Sequence, residues 1–154
     1  MTPDQAHFLR RRFREASGKQ PELKRLKTLL LRLGGEYLVA PPKPDADISA
    51  LLEHGLVISG PLKLKAMKAS SCHQNIAALW QSGRSALVAV STGYALSDDG
   101  LWRQHSWGIL REGILETTVP RLKYFGLVLQ GERADLFASQ NSRCLPQKPE
   151  NPRS

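Results

Sequence analysis

Residues 85–119 read SALVAVSTGYALSDDGLWRQHSWGILREGILETTV, and this stretch decides the fold. Residues 85–96 are rich in small, β-branched and aromatic side chains and predict a strand. Asp98-Asp99-Gly100 is a hairpin turn of the Asp-Gly kind. Residues 101–110 predict the next strand, Glu112-Gly113 the next turn, and residues 114–119 a third strand. Tyr124 to Leu129 extends the sheet, and residues 131–141 predict a closing helix. The expected class is α+β, with an antiparallel sheet as its centre.

Upstream of the sheet lies SSCHQNIAALW, residues 70–80. Ser70 or Ser71 can cap a helix running from Cys72 to Gln81, with Ile76, Leu79 and Trp80 on its buried side. A cysteine in the first turn of a helix lies beside unpaired N–H groups and the positive end of the dipole, which favour the thiolate. A thiolate nucleophile needs an imidazole within reach, and the imidazole needs a partner that fixes its tautomer. Strand 101–110 carries His105 and strand 114–119 carries Glu116. With a turn of two or four residues, the two side chains share a face of the hairpin. With a four-residue turn His105 stands opposite Thr118, with Glu116 as its diagonal neighbour about 7–8 Å away. A three-residue turn would put Glu116 on the other face.

The order of these residues resembles the transglutaminase-like thiol domains. That family shows a catalytic Cys opening a helix, a His-x-Trp strand, a Gly turn and an Asp-x-Thr strand. Here the matching residues are Cys72, His105-Ser106-Trp107, Gly113 and Glu116-Thr117-Thr118. The wider papain-like and NlpC/P60-like peptidases share the order. The resemblance covers residues 70–120 and departs from the pattern twice: Glu116 stands for Asp, and Ser71 replaces the aromatic residue common before the cysteine. It implies a thiol hydrolase or acyltransferase acting on a peptide or protein amide, with a Cys72–His105–Glu116 triad and no cofactor.

Around that core the expectations are simpler. Gln74 and Asn75 are candidates for binding substrate or an oxyanion, and Trp107 for a wall of the site. His73 is expected to point away from Cys72. Cys72, His73, His105 and Cys144 lack the paired spacings of structural zinc, so no metal is expected. No Gly-rich phosphate loop is present.

The N-terminal third reads as two helices. Thr2 or Asp4 caps the first, 4–16, with Phe8, Leu9 and Phe13 on one side and Ser17-Gly18 as its stop. Pro21 opens the second, whose face is Leu23, Leu26, Leu29, Leu30 and Leu33, ended by Gly34-Gly35. Short strands at 36–40 and 56–59 flank the irregular PPKPDAD segment and a helix at 48–54. Residues 61–69 are ambiguous. Three parts result: a basic helical hairpin at 1–35, an α+β core at 36–143, and a disordered Pro-rich tail at 144–154.

The chain carries a formal charge of +8, and residues 1–35 hold nine Lys/Arg against three Asp/Glu. Arg10, Arg11, Arg12 and Arg14, with Lys24, Arg25 and Lys27, suggest the other function class, a non-catalytic protein that binds nucleic acid or another anionic partner. No run is long enough to span a membrane, and no signal-type segment opens the sequence, so the expected location is cytoplasmic.

Overall fold

The computed structural model describes residues 1–142. The expected tail and Cys144 lie outside the described residues. Helix α1 spans Pro3–Lys19 and α2 Glu22–Leu33. Thr2 opens α1 with a reciprocal capping box: its hydroxyl accepts from the Gln5 N–H, and the Gln5 side chain accepts from the Thr2 N–H. The helix runs through Ser17-Gly18, the expected stop. Ser17 Oγ bonds back to Arg14 O, and the chain leaves the helix only at Gln20.

The strands are β1 (Tyr37–Leu38), β2 (Leu56–Ile58), β3 (Leu62–Leu64), β4 (Ala89–Leu96), β5 (Leu101–Leu110), β6 (Gly113–Glu116) and β7 (Lys123–Leu129). Helix α3 is Ile48–His54, α4 is Cys72–Ser82, and α5 is Gly131–Asn141. They form one seven-stranded sheet in the order β2-β7-β4-β5-β6-β3, with β1 beside β5. Its centre is antiparallel, as expected. The sheet as a whole is mixed, because β1 pairs parallel with β5 and β3 pairs parallel with β6. These two pairings are two and three residues long and carry no periodic signal in the sequence.

Strand alternation separates two faces. One packs under the helices. There α2 lays Leu23, Leu26 and Leu30 against Tyr94, Leu96, Trp102 and Phe125, so the basic hairpin is built into the sheet's main core. Farther along, Ile76, Ala77 and Leu79 of α4 meet Val90, Leu115 and α5 residues Ala134, Phe137 and Ala138. On the other face Ala95, Trp107, Ile114 and Tyr124 form their own small core. Burial of the apolar stripes, rather than intrinsic propensity, holds these helices in place.

The proline segment is pinned without regular structure. Asp45 is buried and accepts a hydrogen bond from the Tyr94 hydroxyl at 2.9 Å. Gln20 satisfies the Asp45 backbone N–H and C=O at 2.9 and 2.8 Å. This anchor holds residues 39–42 beside the N-terminal end of α4, where they form one lip of a cleft.

Candidate active site

Strand β5 turns into β6 through Arg111-Glu112, with Leu110 opposite Gly113, Ile109 opposite Ile114 and Gly108 opposite Leu115. Continued by the same register, Thr118 stands opposite His105, the alignment expected of a four-residue turn and reached here with a two-residue one. His105 and Glu116 share the face that carries Trp107 and Tyr124, and their side chains meet. His105 Nε2 lies 2.9 and 3.1 Å from the two carboxylate oxygens of Glu116.

Glu116 is fully buried. Besides His105 it accepts hydrogen bonds from the Thr117 and Thr118 N–H groups, each at 3.0 Å. The Thr118 hydroxyl adds another at 3.0 Å and the Tyr124 hydroxyl one at 2.8 Å. Burial alone would raise its pKa. The bond to His105, the charge of that ring and the Thr118 and Tyr124 donors outweigh burial and hold the carboxyl below its ordinary range. An acceptor so surrounded is ionised, so the His105 proton sits on Nε2 and the other ring nitrogen, Nδ1, is turned to the remaining partner.

That partner is Cys72, the first residue of α4, half-buried at the cleft. Burial pushes its thiol up. Hydrogen bonds from His105 and His73, and the charge of the two rings, more than reverse this and bring it from its ordinary 9.0 down to about 5. His105 moves the opposite way: burial lowers it, but Cys72 and Glu116 together raise it. Thiolate and imidazolium stabilise each other here, with Glu116 behind the ring.

The expected triad residues are therefore brought together. The other expectations fare differently. His73 does not point away. Its Nδ1 lies 2.5 Å from Ser106 Oγ, which in turn lies 3.0 Å from Thr92 Oγ1. Successive residues of α4, Cys72 and His73, thus meet successive residues of β5, His105 and Ser106. Asn75 is no substrate group: it is buried, and its Nδ2 donates to Lys68 O at 2.8 Å and to Thr117 Oγ1 at 3.3 Å, tying the Cys helix to the Glu strand. Trp107 is wholly buried behind the ring of His105, centroids 6.0 Å apart, and is floor rather than wall. Gln74 is half-buried and does not line the cleft. Arg10, Arg11, Arg12 and Arg14 are all exposed on α1.

The cleft encloses about 500 Å³. Its apolar lining comes from Val39, Pro41, Pro42, Met67 and Val119, and its polar lining includes Gln104, Arg103 and Arg121. Neither arginine carried a sequence signal, because each lies just outside a motif and is brought in by the sheet. The approach to Cys72 is also shaped by the backbone: Ser70 lies at φ 56°, in the left-handed region, as the chain turns into α4.

Among the described residues no group of three His, Cys, Asp or Glu side chains is placed to hold a metal ion. Nor is any helix among them long and apolar enough to cross a membrane. Compared with known proteins, the chain matches no family model, no curated protein and no solved structure.

Proposed function

We propose that this chain is a thiol hydrolase or acyltransferase acting on amide or acyl bonds. The observation that carries the reading is the line Cys72–His105–Glu116, in which an imidazole stands between a half-exposed thiol and a buried, fully hydrogen-bonded carboxylate. The Cys72 thiolate attacks the carbonyl carbon, and the carbonyl electron pair moves to oxygen. On collapse the C–N bond breaks, and the leaving amine takes the proton of the His105 imidazolium. His105, neutral again, accepts a proton from water or a second nucleophile as that group attacks the acyl-enzyme and releases Cys72. Glu116 keeps Nε2 protonated and supports the imidazolium charge, and it does not itself take the proton.

His73 supports the resting thiolate as a second donor. Its Nδ1 is held by Ser106, so it acts on Cys72 from a fixed position.

The test is alkylation of Cys72 by iodoacetamide, read by peptide mass. In the folded protein Cys72 should react fast at pH 6, where an ordinary thiol is almost wholly protonated. His105→Ala should move the reactivity toward alkaline pH. Glu116→Gln should move it less, because that group acts through the ring. A Cys72 that reacts only after unfolding would exclude the thiol-enzyme reading.

A further inference from the structure

The cleft beside Cys72 is lined by two arginines and two histidines, and no carboxylate side chain lines it among the described residues. The arginines differ. Arg103 is paired with Asp99, Nη2 to Oδ2 at 2.7 Å, so its charge is met. Arg121 bonds only to neutral oxygens: Ser97 Oγ at 2.7 Å, Val119 O at 3.2 Å and Thr118 Oγ1 at 3.5 Å. Among the described residues it forms no ion pair. Those three bonds orient a half-buried guanidinium at the cleft and leave its charge unmatched.

A second observation points the same way. The lip residues Val39, Ala40 and Pro42 also line a neighbouring groove of about 510 Å³ that runs onto α1. There Arg11 and Arg12 stand beside Phe8 and Leu9, with Glu15 as the acidic member. Phe8 is 51% exposed and Leu9 partly so, an apolar strip bordered by cations. Cleft and groove form one surface: a thiol at one end, apolar footing along it, and positive charge at both ends.

We infer that the substrate is an acidic polypeptide. This rests on the thiol-enzyme reading and names what that site takes. The scissile acyl group sits at Cys72. A carboxylate side chain close to it is received by Arg121, and the chain crosses the Val39–Pro42 lip so that further acidic residues reach Arg11 and Arg12. A carboxylate suits this arginine better than an amide does. It accepts charge-assisted bonds from the fork of N–H donors, whereas a neutral isostere leaves the charge unanswered.

Peptide acyloxymethyl ketones test this, because they report recognition through one covalent event on the thiol. One probe carries glutamates along the peptide, and its isostere carries glutamines at the same positions. The second-order rate of Cys72 labelling is measured for each on the whole chain. At low salt the glutamate probe should react about tenfold faster, the equivalent of one charge-assisted hydrogen bond. The advantage should shrink as salt is raised, since the α1 groove is exposed. R121Q should reduce the ratio of the two rates, and R11Q/R12Q should reduce it separately. R121K, which keeps charge without the fork, should retain part of it, so loss in R121Q with retention in R121K separates recognition from misfolding. Equal rates for the two probes, or a preference that none of these substitutions alters, would overturn the inference. Iodoacetamide labelling of the same samples distinguishes the parent reading. If Cys72 in the folded chain resists iodoacetamide as well as both probes, the thiol enzyme itself is wrong; if iodoacetamide labels it and charge makes no difference, only the acidic substrate is.

Discussion

At the scale of single residues the site is a matter of which hydrogen-bond partners each group has left. Glu116 has its oxygens filled by backbone, threonine, tyrosine and histidine donors, so it fixes the proton of His105 on Nε2 and frees Nδ1 for Cys72. With the thiol brought down to about 5 and His105 raised, the thiolate–imidazolium pair exists at pH values between those two pKa values. The alkylation rate should therefore rise with pH through a midpoint near 5, because deprotonation of Cys72 creates the nucleophile. His73→Ala should shift that midpoint upward, since it removes one of the two donors to sulfur, and stopped-flow alkylation across pH 4–9 measures it. The meeting of His105 and Glu116 was legible in the sequence because strand parity is a strict rule: an even turn puts the two on one face whatever surrounds them. His73 and Asn75 were misread for the opposite reason. A helical wheel gives the angle between two side chains, and it says nothing of what a neighbouring strand offers each of them. His73 found the Ser106 hydroxyl, and Asn75 found Lys68 O and Thr117.

At the scale of elements, two features hold the strands that carry the site. Across from His105 stand Gly93 of β4 and then Gly126 of β7. A Cβ on Gly93 would come within 2.2 Å of Phe125 O and 2.6 Å of Gly126 Cα, both backbone atoms that cannot turn aside. Gly93→Ala should destabilise the fold by about 1–3 kcal/mol or more, as overpacking does, and denaturant unfolding reads it. The second feature is Tyr94, whose hydroxyl serves buried Asp45. Tyr94→Phe leaves that carboxylate without this donor and should cost about 1–3 kcal/mol. It should also loosen the 39–42 lip, visible as faster amide exchange there than in the unaltered chain. The strand β5 was read with its observed ends, since Gly-containing turns bound it on both sides. Strand β4 begins at Ala89, four residues later than expected; Leu87 packs so closely on Gly108 that a Cβ there would meet it at 2.3 Å. β1 falls within the strand read at 36–40, whereas β3 was beyond local reading, because its pairing partner β6 is far along the chain.

At the scale of the molecule, the basic hairpin and the thiol site belong to one body. α2 supplies leucines to the main core, whereas α1 buries only Ser17 outright. Replacing Arg10, Arg11, Arg12 and Arg14 with Gln should shift Tm by no more than a few degrees, because exposed charges contribute little to stability. Among the described residues, Arg10 is the one of the four with a side-chain hydrogen bond beyond α1, 2.8 Å to the Tyr37 hydroxyl. Composition announced this basic surface plainly, but the cleft's own cations were invisible to it, because Arg103 and Arg121 become neighbours only when the sheet closes. The half-exposed thiolate at the centre has one further consequence, which concerns the protein's lifetime in air. A sulfur held in its anionic form is open to peroxide, and Cys72 is the free cysteine among the described residues. Dilute hydrogen peroxide should add one oxygen to Cys72 at neutral pH and silence it, and a small-molecule thiol should restore it. Longer exposure should carry the sulfur past recovery to the sulfinic acid, leaving a chain that is folded and chemically spent.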